Sequence, residues 1–168
     1  MSLDFVAIDF ETANRSSASA CALAVIVFKD GKVAEEHSWL IRPHEDVNFF
    51  NYFNVLIHGI TYEQVQDKPQ FDELWPTILG LMDKQMVVAH NAVFDIGVLK
   101  SLLVHYELDY PDIDIICSCN LARKTWDGQV DYKLNSLASK HGFTFRHHDA
   151  HDDAVTCGNL RENLCRGL

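Results

Sequence analysis

At 168 residues, with 48% apolar and 23% charged side chains, the chain has the size and composition of one globular domain able to bury a core without disulfide staples. No run approaches the roughly 20 apolar residues of a membrane span, and the N-terminus lacks the basic and apolar regions of a secretory signal. Fourteen basic against 24 acidic residues leave a net charge of −10, the wrong sign for extensive contact with duplex phosphates, so a small substrate or a short single-stranded end fits better.

Phe5–Phe10 is a short apolar run suited to a central strand covered on both faces. Ala20–Phe28 is a second strand. Lys29-Asp30-Gly31-Lys32 carries an Asp-Gly turn signal that joins it to a third, Val33–Ile41, closed by Arg42-Pro43. The aromatic segment Phe49-Phe50-Asn51-Tyr52-Phe53 admits two readings, a face for stacking unpaired bases or core beneath a long connection. Gln70–Met82 has Phe71, Leu74, Trp75, Ile78 and Leu81 at helical spacing. Met86–Ala89 reads as a short strand, Val93–Tyr106 as a helix and Ile113–Cys117 as the last strand. Helices are expected near Leu121–Trp126, Leu134–His141 and Asp149–Cys165. Three opening strands followed by alternating helices and strands imply an α/β fold, a mixed five-stranded sheet flanked by helices. Without repeats or linkers, a single domain over residues 1–168 is expected.

Five cysteines (Cys21, Cys117, Cys119, Cys157, Cys165) form an odd set with no CxxC pair, which points to reduced thiols in a cytoplasmic protein. Cys117 and Cys119 stand too close for a zinc ribbon or finger.

Acidic residues at three places in the chain face the wrong way for a surface. Asp9 and Glu11 are two apart on a strand and project from the same face, where charge is costly unless a cation or donor compensates it. The bland alternative is a strand-end acid in water. Asp95 stands three, four, seven and eleven residues before Val98, Leu99, Leu102 and Tyr106, inside their apolar stripe. A first-turn carboxylate favoured by the helix dipole explains an acid there but not its inward face. In the last helix, Ala150, Ala154, Cys157, Leu160 and Leu164 mark the buried side. Asp153 lies in its middle, and Asp152, about 100° away, points to solvent. Asp149 and Asp152 resemble a helix-start cap.

His148, five residues before Asp153, shares no helical face with it, but the two converge if His148 sits in the preceding loop. A histidine there titrates near neutrality and can reach a metal-bound water. The competing reading is a zinc pair of His147 and His151, four apart on one helical face. Oxygen-rich company favours Mg²⁺ or Mn²⁺ instead. The residues themselves imply a hard-metal site with a nearby base, and two-metal phosphoryl chemistry is the commonest use of such a site.

Asp9-Phe10-Glu11-Thr12, His90-Asn91-Ala92-Val93-Phe94-Asp95, and His148 followed by Asp153 resemble the motifs of the DEDDh exonucleases, a family that includes the proofreading subunit of bacterial replicative DNA polymerase and stand-alone relatives. Asn54 with His58-Gly59-Ile60-Thr61, and Tyr132-Lys133-Leu134, add to a likeness that runs from about residue 4 to 164. The resemblance implies a ribonuclease-H-like fold and 3′–5′ hydrolysis of terminal phosphodiesters to nucleoside 5′-monophosphates, with two Mg²⁺ or Mn²⁺ ions. It implies that Asp9 bridges both ions, Glu11 and Asp153 complete the first site, Asp95 serves the second, and His148 is the general base. It also implies that Thr12 and Ala13 lie against the terminal nucleotide and that His58, Asn91 and Phe94 touch sugar or base.

The chain stops at Leu168, directly after the last predicted helix, without a tail like the one by which the polymerase-bound subunit attaches to its partner. A free-standing exonuclease acting on the 3′ end of single-stranded DNA or short RNA is therefore expected in preference to a replisome component. The enzymatic alternative is an exoribonuclease trimming oligoribonucleotides or RNA 3′ ends. From a different class comes a catalytically silent nucleic-acid-binding module, against which the intact acidic set argues.

Overall fold

In the computed structural model, which describes residues 4–166, the opening apolar runs pair as an antiparallel meander of β1 (Phe5–Thr12), β2 (Ala20–Lys29) and β3 (Lys32–Leu40). β4 (Met86–Ala89) and β5 (Asp114–Cys117) add in parallel, giving a five-stranded mixed sheet of order β3-β2-β1-β4-β5. Residues 1–3 and 167–168, the ends of the expected 1–168 domain, lie outside the described residues. Asp30 and Gly31 adopt φ of 50° and 72°, the left-handed pair that an Asp-Gly hairpin turn requires.

The helices are α1 (Tyr52–His58), α2 (Tyr62–Val65), α3 (Phe71–Met82), α4 (Ala92–His105), α5 (Ser118–Thr125), α6 (Leu134–Lys140) and α7 (Ala150–Arg166). A 3₁₀ turn at Glu45–Val47, α1 and α2 occupy a stretch that reads from sequence as a long connection. Local caps explain them. The Asn51 side chain accepts the Phe53 N–H at 2.9 Å, Gly59 ends α1 at φ 75°, and Thr61 with Gln64 forms a capping box over α2.

Alternation along β1 decides what meets what. Val6, Ile8 and Phe10 join Leu23, Val25 and Val27 under Phe71, Trp75 and Ile78 of α3 and Val98, Leu99 and Leu102 of α4. Phe5 and Ala7 face the other way, with Ala22, Ala24, Ile26 and Phe28, under Leu134 and Leu137 of α6 and Ala154, Cys157, Leu160 and Leu164 of α7. The small alanines on this second face let α7 lie close to the sheet. Gly158 allows the closest approach, because a Cβ there would enter the Phe28 ring. The odd-numbered side of β1 is thus the side that α7 covers, and Asp9 and Glu11 continue it. Among the described residues no helix is long and apolar enough to cross a membrane, and Cys21, Cys117, Cys119 and Cys157 are free thiols.

Candidate active site

β4 stops at Ala89, so beyond Ala7 strand β1 runs on with no neighbour on that side. The Phe10 N–H is taken there by a side chain: Asp95 Oδ1 accepts it at 3.0 Å. Asp95 sits in the first turn of α4, 1% exposed, after a β4–α4 connection in which Asn91 adopts a left-handed φ of 63°. The inward face expected of Asp95 therefore has a backbone donor waiting for it.

Asp153 approaches from the opposite side. α7 begins at Ala150, and the Asp149 carboxylate accepts the N–H groups of His151 (3.2 Å) and Asp152 (3.4 Å), the capping role its position predicts. Asp152 turns outward and reaches back to the Arg146 N–H at 3.1 Å. Asp153, 4% exposed, turns inward, as the helical spacing predicts. Its Oδ2 accepts the His148 N–H at 2.9 Å and its Oδ1 lies 3.0 Å from His147 Nδ1. His148 has a left-handed φ of 64° in the loop before the helix, and its ring lies 3.8 Å from that of His147 in a near-parallel stack. One oxygen each of Asp9, Glu11 and Asp153 falls within 4.8 Å of the others.

His147 joins this site, which its sequence position alone does not reveal. The spacing suggests a zinc pair with His151 on one helical face, but His147 precedes the helix, so the two are not aligned. His151 instead binds Glu36 on β3 at 2.6 Å and Asp152 at 3.2 Å.

Burial raises all four acids, and repulsion from the others adds to the rise for Asp9, Glu11 and Asp95. Burial, followed by Asp95, Asp153 and Glu11, pushes the Asp9 carboxyl well above the usual carboxylate range. Burial and then Asp153 and Asp95 push Glu11 up to about 8. Burial pushes Asp95 up to about 7, with the Phe10 N–H working in the opposite direction. Burial also raises Asp153, and His147 moderates the rise. Among the described residues none of the four has a Lys or Arg within ion-pair reach. An all-oxygen donor set that lacks positive charge suits hard divalent cations. Burial and the neighbouring His147 lower the pKa of His148, which keeps its imidazole neutral and able to accept a proton.

These residues line a cleft of about 720 Å³ whose walls include Thr12, Asn54, Ile57, His58, Asn91 and Phe94, with Arg123 and Lys133 also on its lining. Asn54 Nδ2 donates to the Thr12 carbonyl at 2.9 Å. His58 Nδ1 accepts the Ile60 N–H at 3.0 Å, so Nε2 carries the proton and donates to the same Thr12 carbonyl at 3.1 Å. Both ring nitrogens of His58 are thereby committed to the backbone. Ala13, expected against the terminal nucleotide, is fully buried with Cys21 and Val65, off the cleft wall. Its N–H and carbonyl bond to Ser19 and Asn51, which turns the chain away from the cleft. His90 ties the end of β4 to the approach to α6, with Nε2 donating to the Tyr132 carbonyl and Nδ1 accepting from Ser118, each at 2.9 Å.

Residues 6–160 match the RNase T exonuclease family. The chain is 30% identical over 156 residues to the PolC-type DNA polymerase III of Thermotoga petrophila, covering 89% of this chain and 11% of that protein. It is 29% identical over 160 residues to the 3′–5′ exonuclease DinG of Bacillus subtilis, covering 92% and 17% respectively. The chain thus spans less than a fifth of the curated relatives it matches. Among solved structures, Exonuclease X in complex with 5′ overhanging duplex DNA is similar with a TM-score of 0.78 at 26% identity, covering 96% of this chain and 90% of that one. The nuclease domain of 3′hExo, a DEDDh family member bound to rAMP, shares the fold with a TM-score of 0.80 at 17% identity, covering 97% and 92%.

Proposed function

This chain belongs to the RNase T exonuclease family, and on that premise we propose that it is a 3′–5′ exonuclease of the DEDDh type that removes nucleoside 5′-monophosphates from the 3′ end of single-stranded DNA or short RNA using two divalent ions, Mg²⁺ or Mn²⁺. The observation that carries this reading is the meeting of Asp9, Glu11, Asp95 and Asp153 in one cleft beside His148, with no Lys or Arg among the described residues in ion-pair reach of any of the four. One exonuclease domain over the whole chain is the matching reading of its organisation, since both core faces share a single sheet.

In this reading Asp9 would be shared by the two ions, Glu11 and Asp153 would help hold one of them, and Asp95 would help hold the other. The ions would supply charge to stabilise the attacking and leaving oxygens. His148, neutral near pH 7, accepts the proton of the attacking water. Asp153 holds the His148 backbone through its N–H, so the position of the base follows that of the carboxylate. Thr12, Asn91 and Phe94 border the terminal sugar and base, and His58 supports that wall through the Thr12 carbonyl without a free nitrogen for substrate. The exoribonuclease reading uses the same residues and differs only in which sugar reacts faster.

The test is product analysis on matched 5′-labelled single-stranded DNA and RNA oligonucleotides with Mg²⁺, Mn²⁺ or chelator. The expected result is a ladder that shortens from the 3′ end only with metal. His148→Ala is expected to slow it about 10²- to 10⁴-fold while leaving the metal-induced rise in Tm intact. No cleavage of either substrate, with wild type and Asp9→Ala indistinguishable, would replace this reading with the silent binding module.

A further inference from the structure

Tyr52, Phe53, Leu56 and Ile57 of α1 are 69%, 70%, 63% and 54% exposed, and Phe49 just before the helix is 63% exposed. Single exposed apolar residues are ordinary, but a contiguous set marks a contact surface. Spacings of three and four join these side chains into one stripe, and the Tyr52 and Phe53 rings meet edge to face at 5.8 Å. Phe50 turns the other way, against Tyr62 and the small core under α1, so the segment divides between an inner anchor and an outer aromatic face.

Two observations indicate what covers that face. The stripe is continuous with the cleft, because Asn54, Ile57 and His58 of the same helix line it, and Phe94, 46% exposed, is also on its wall. Residues 49–58 also contain no Asp, Glu, Lys or Arg, although the chain carries 24 acids. A face free of carboxylates is the part of an acidic protein where a phosphate chain meets least repulsion. Arg123 and Lys133 on the cleft lining offer the cations that strand needs. Aromatic faces beside cationic groups are the recurrent means of gripping unpaired nucleic acid, because every base has a face to stack.

We propose that the outward face of α1 is a stacking platform for the unpaired bases that precede the terminal nucleotide, so that the protein grips a single-stranded 3′ tail several nucleotides long. This rests on the exonuclease reading for its direction but acts through a separate surface. In a duplex the base faces are already occupied by their neighbours, so the platform favours unpaired ends over paired ones.

The full chain carrying Tyr52→Ser, Phe53→Ser and Leu56→Ser tests it, with an unchanged Tm as the check on folding. Two substrates are compared: the p-nitrophenyl ester of thymidine 5′-monophosphate, which reaches only the cleft, and a thymidylate strand of about 12 nucleotides. The expected result is a rise in KM for the strand of about 5- to 150-fold for each base left unstacked, with ester turnover unchanged. Tyr52→Trp with Phe53→Trp should retain strand affinity. Fluorescence anisotropy of a labelled strand in chelator should show the same loss of affinity without any turnover. That separates the two readings, since a wild type that binds through α1 but hydrolyses neither substrate would defeat the exonuclease and leave the platform. Unchanged strand binding in the triple variant overturns the proposal. So does a wild-type dimer in sedimentation that the triple variant dissociates, because the face would then belong to a second copy.

Discussion

At the last turns of α7, Arg161 and Glu162 are 0% and 5% exposed. The guanidinium lies 4.3 Å over the Phe5 ring, and its Nη1 is 3.9 Å from the Glu162 carboxylate. At the first turn of the same helix, Asp153 faces Asp9 and Glu11, with the imidazoles of His147 and His148 beside it but no Lys or Arg in ion-pair reach among the described residues. The same strand serves both ends, Phe5 under the arginine and Asp9 and Glu11 opposite the aspartate. One cluster carries its own counter-charge within the fold, and the other leaves it to be imported. Burial of charged groups is common to both, so burial alone does not mark a functional site. The imbalance does.

The largest expected effect separates the two ends by activity. Asp9→Ala or Asp153→Ala should lower kcat/KM by at least about a thousand-fold while the protein stays folded, whereas Asp152→Ala, on the solvent side, should change it less than about two-fold. Steady-state kinetics on a labelled oligonucleotide would show this, and equal losses at Asp152 and Asp153 would break the helical-face argument. The other end should respond in stability instead. Arg161→Met removes the guanidinium from beside the buried Glu162 carboxylate and should cost about 3–5 kcal/mol in urea denaturation. Adding Glu162→Gln should recover most of that cost, and a double variant no more stable than the single would mean that the pair is not balanced internally.

The smallest effect has the opposite sign. Asp95 titrates near 7 in the folded protein against an ordinary 3.8. The folded state therefore holds a proton that the unfolded chain has released, and stability contributed by that proton is lost as pH rises through this window. Metal-free Asp95→Asn, which keeps the acceptor for Phe10 N–H, should then melt a few degrees above wild type at pH 8 and close to it at pH 4. Mn²⁺ should narrow the gap at pH 8. A variant melting below wild type at pH 8 in chelator would show that the carboxylate cluster is not under strain.

Periodicity reveals most of this site because its residues ride on regular elements. Alternation along β1 puts Asp9 and Glu11 on the α7 side. The spacing of Ala150, Ala154, Cys157 and Leu160 turns Asp153 inward and leaves the Asp152 side chain 39% exposed. The expected strands and helices agree with the structure to within three residues at their ends. What the sequence hides depends on features without a period. α1 is an uncharged run with no polar face to mark a helix, although Asn51 and the Thr61–Gln64 box are readable caps. The contact of His147 with Asp153 accompanies a left-handed backbone at His148, a conformation that a non-glycine residue rarely adopts and no spacing rule anticipates. Ala13 follows the Asp9-x-Glu11 pair closely enough to be grouped with it, but the chain has already turned into the core there.

The hydrogen bond from Phe10 to Asp95 gives the sheet a means of checking its own alignment. Sliding β1 by one residue exchanges its two faces, sending Phe10 toward α7 and the two acids into the apolar layer under α3 and α4. In that slipped arrangement the amide offered to Asp95 belongs to a different residue, and the carboxylate buried in α4 loses the donor it was set against. The penalty for misalignment therefore falls on a residue of the cleft as well as on the core. A chain that folds in the wrong register is selected against twice, by the apolar layers that no longer match and by an acid left without its amide.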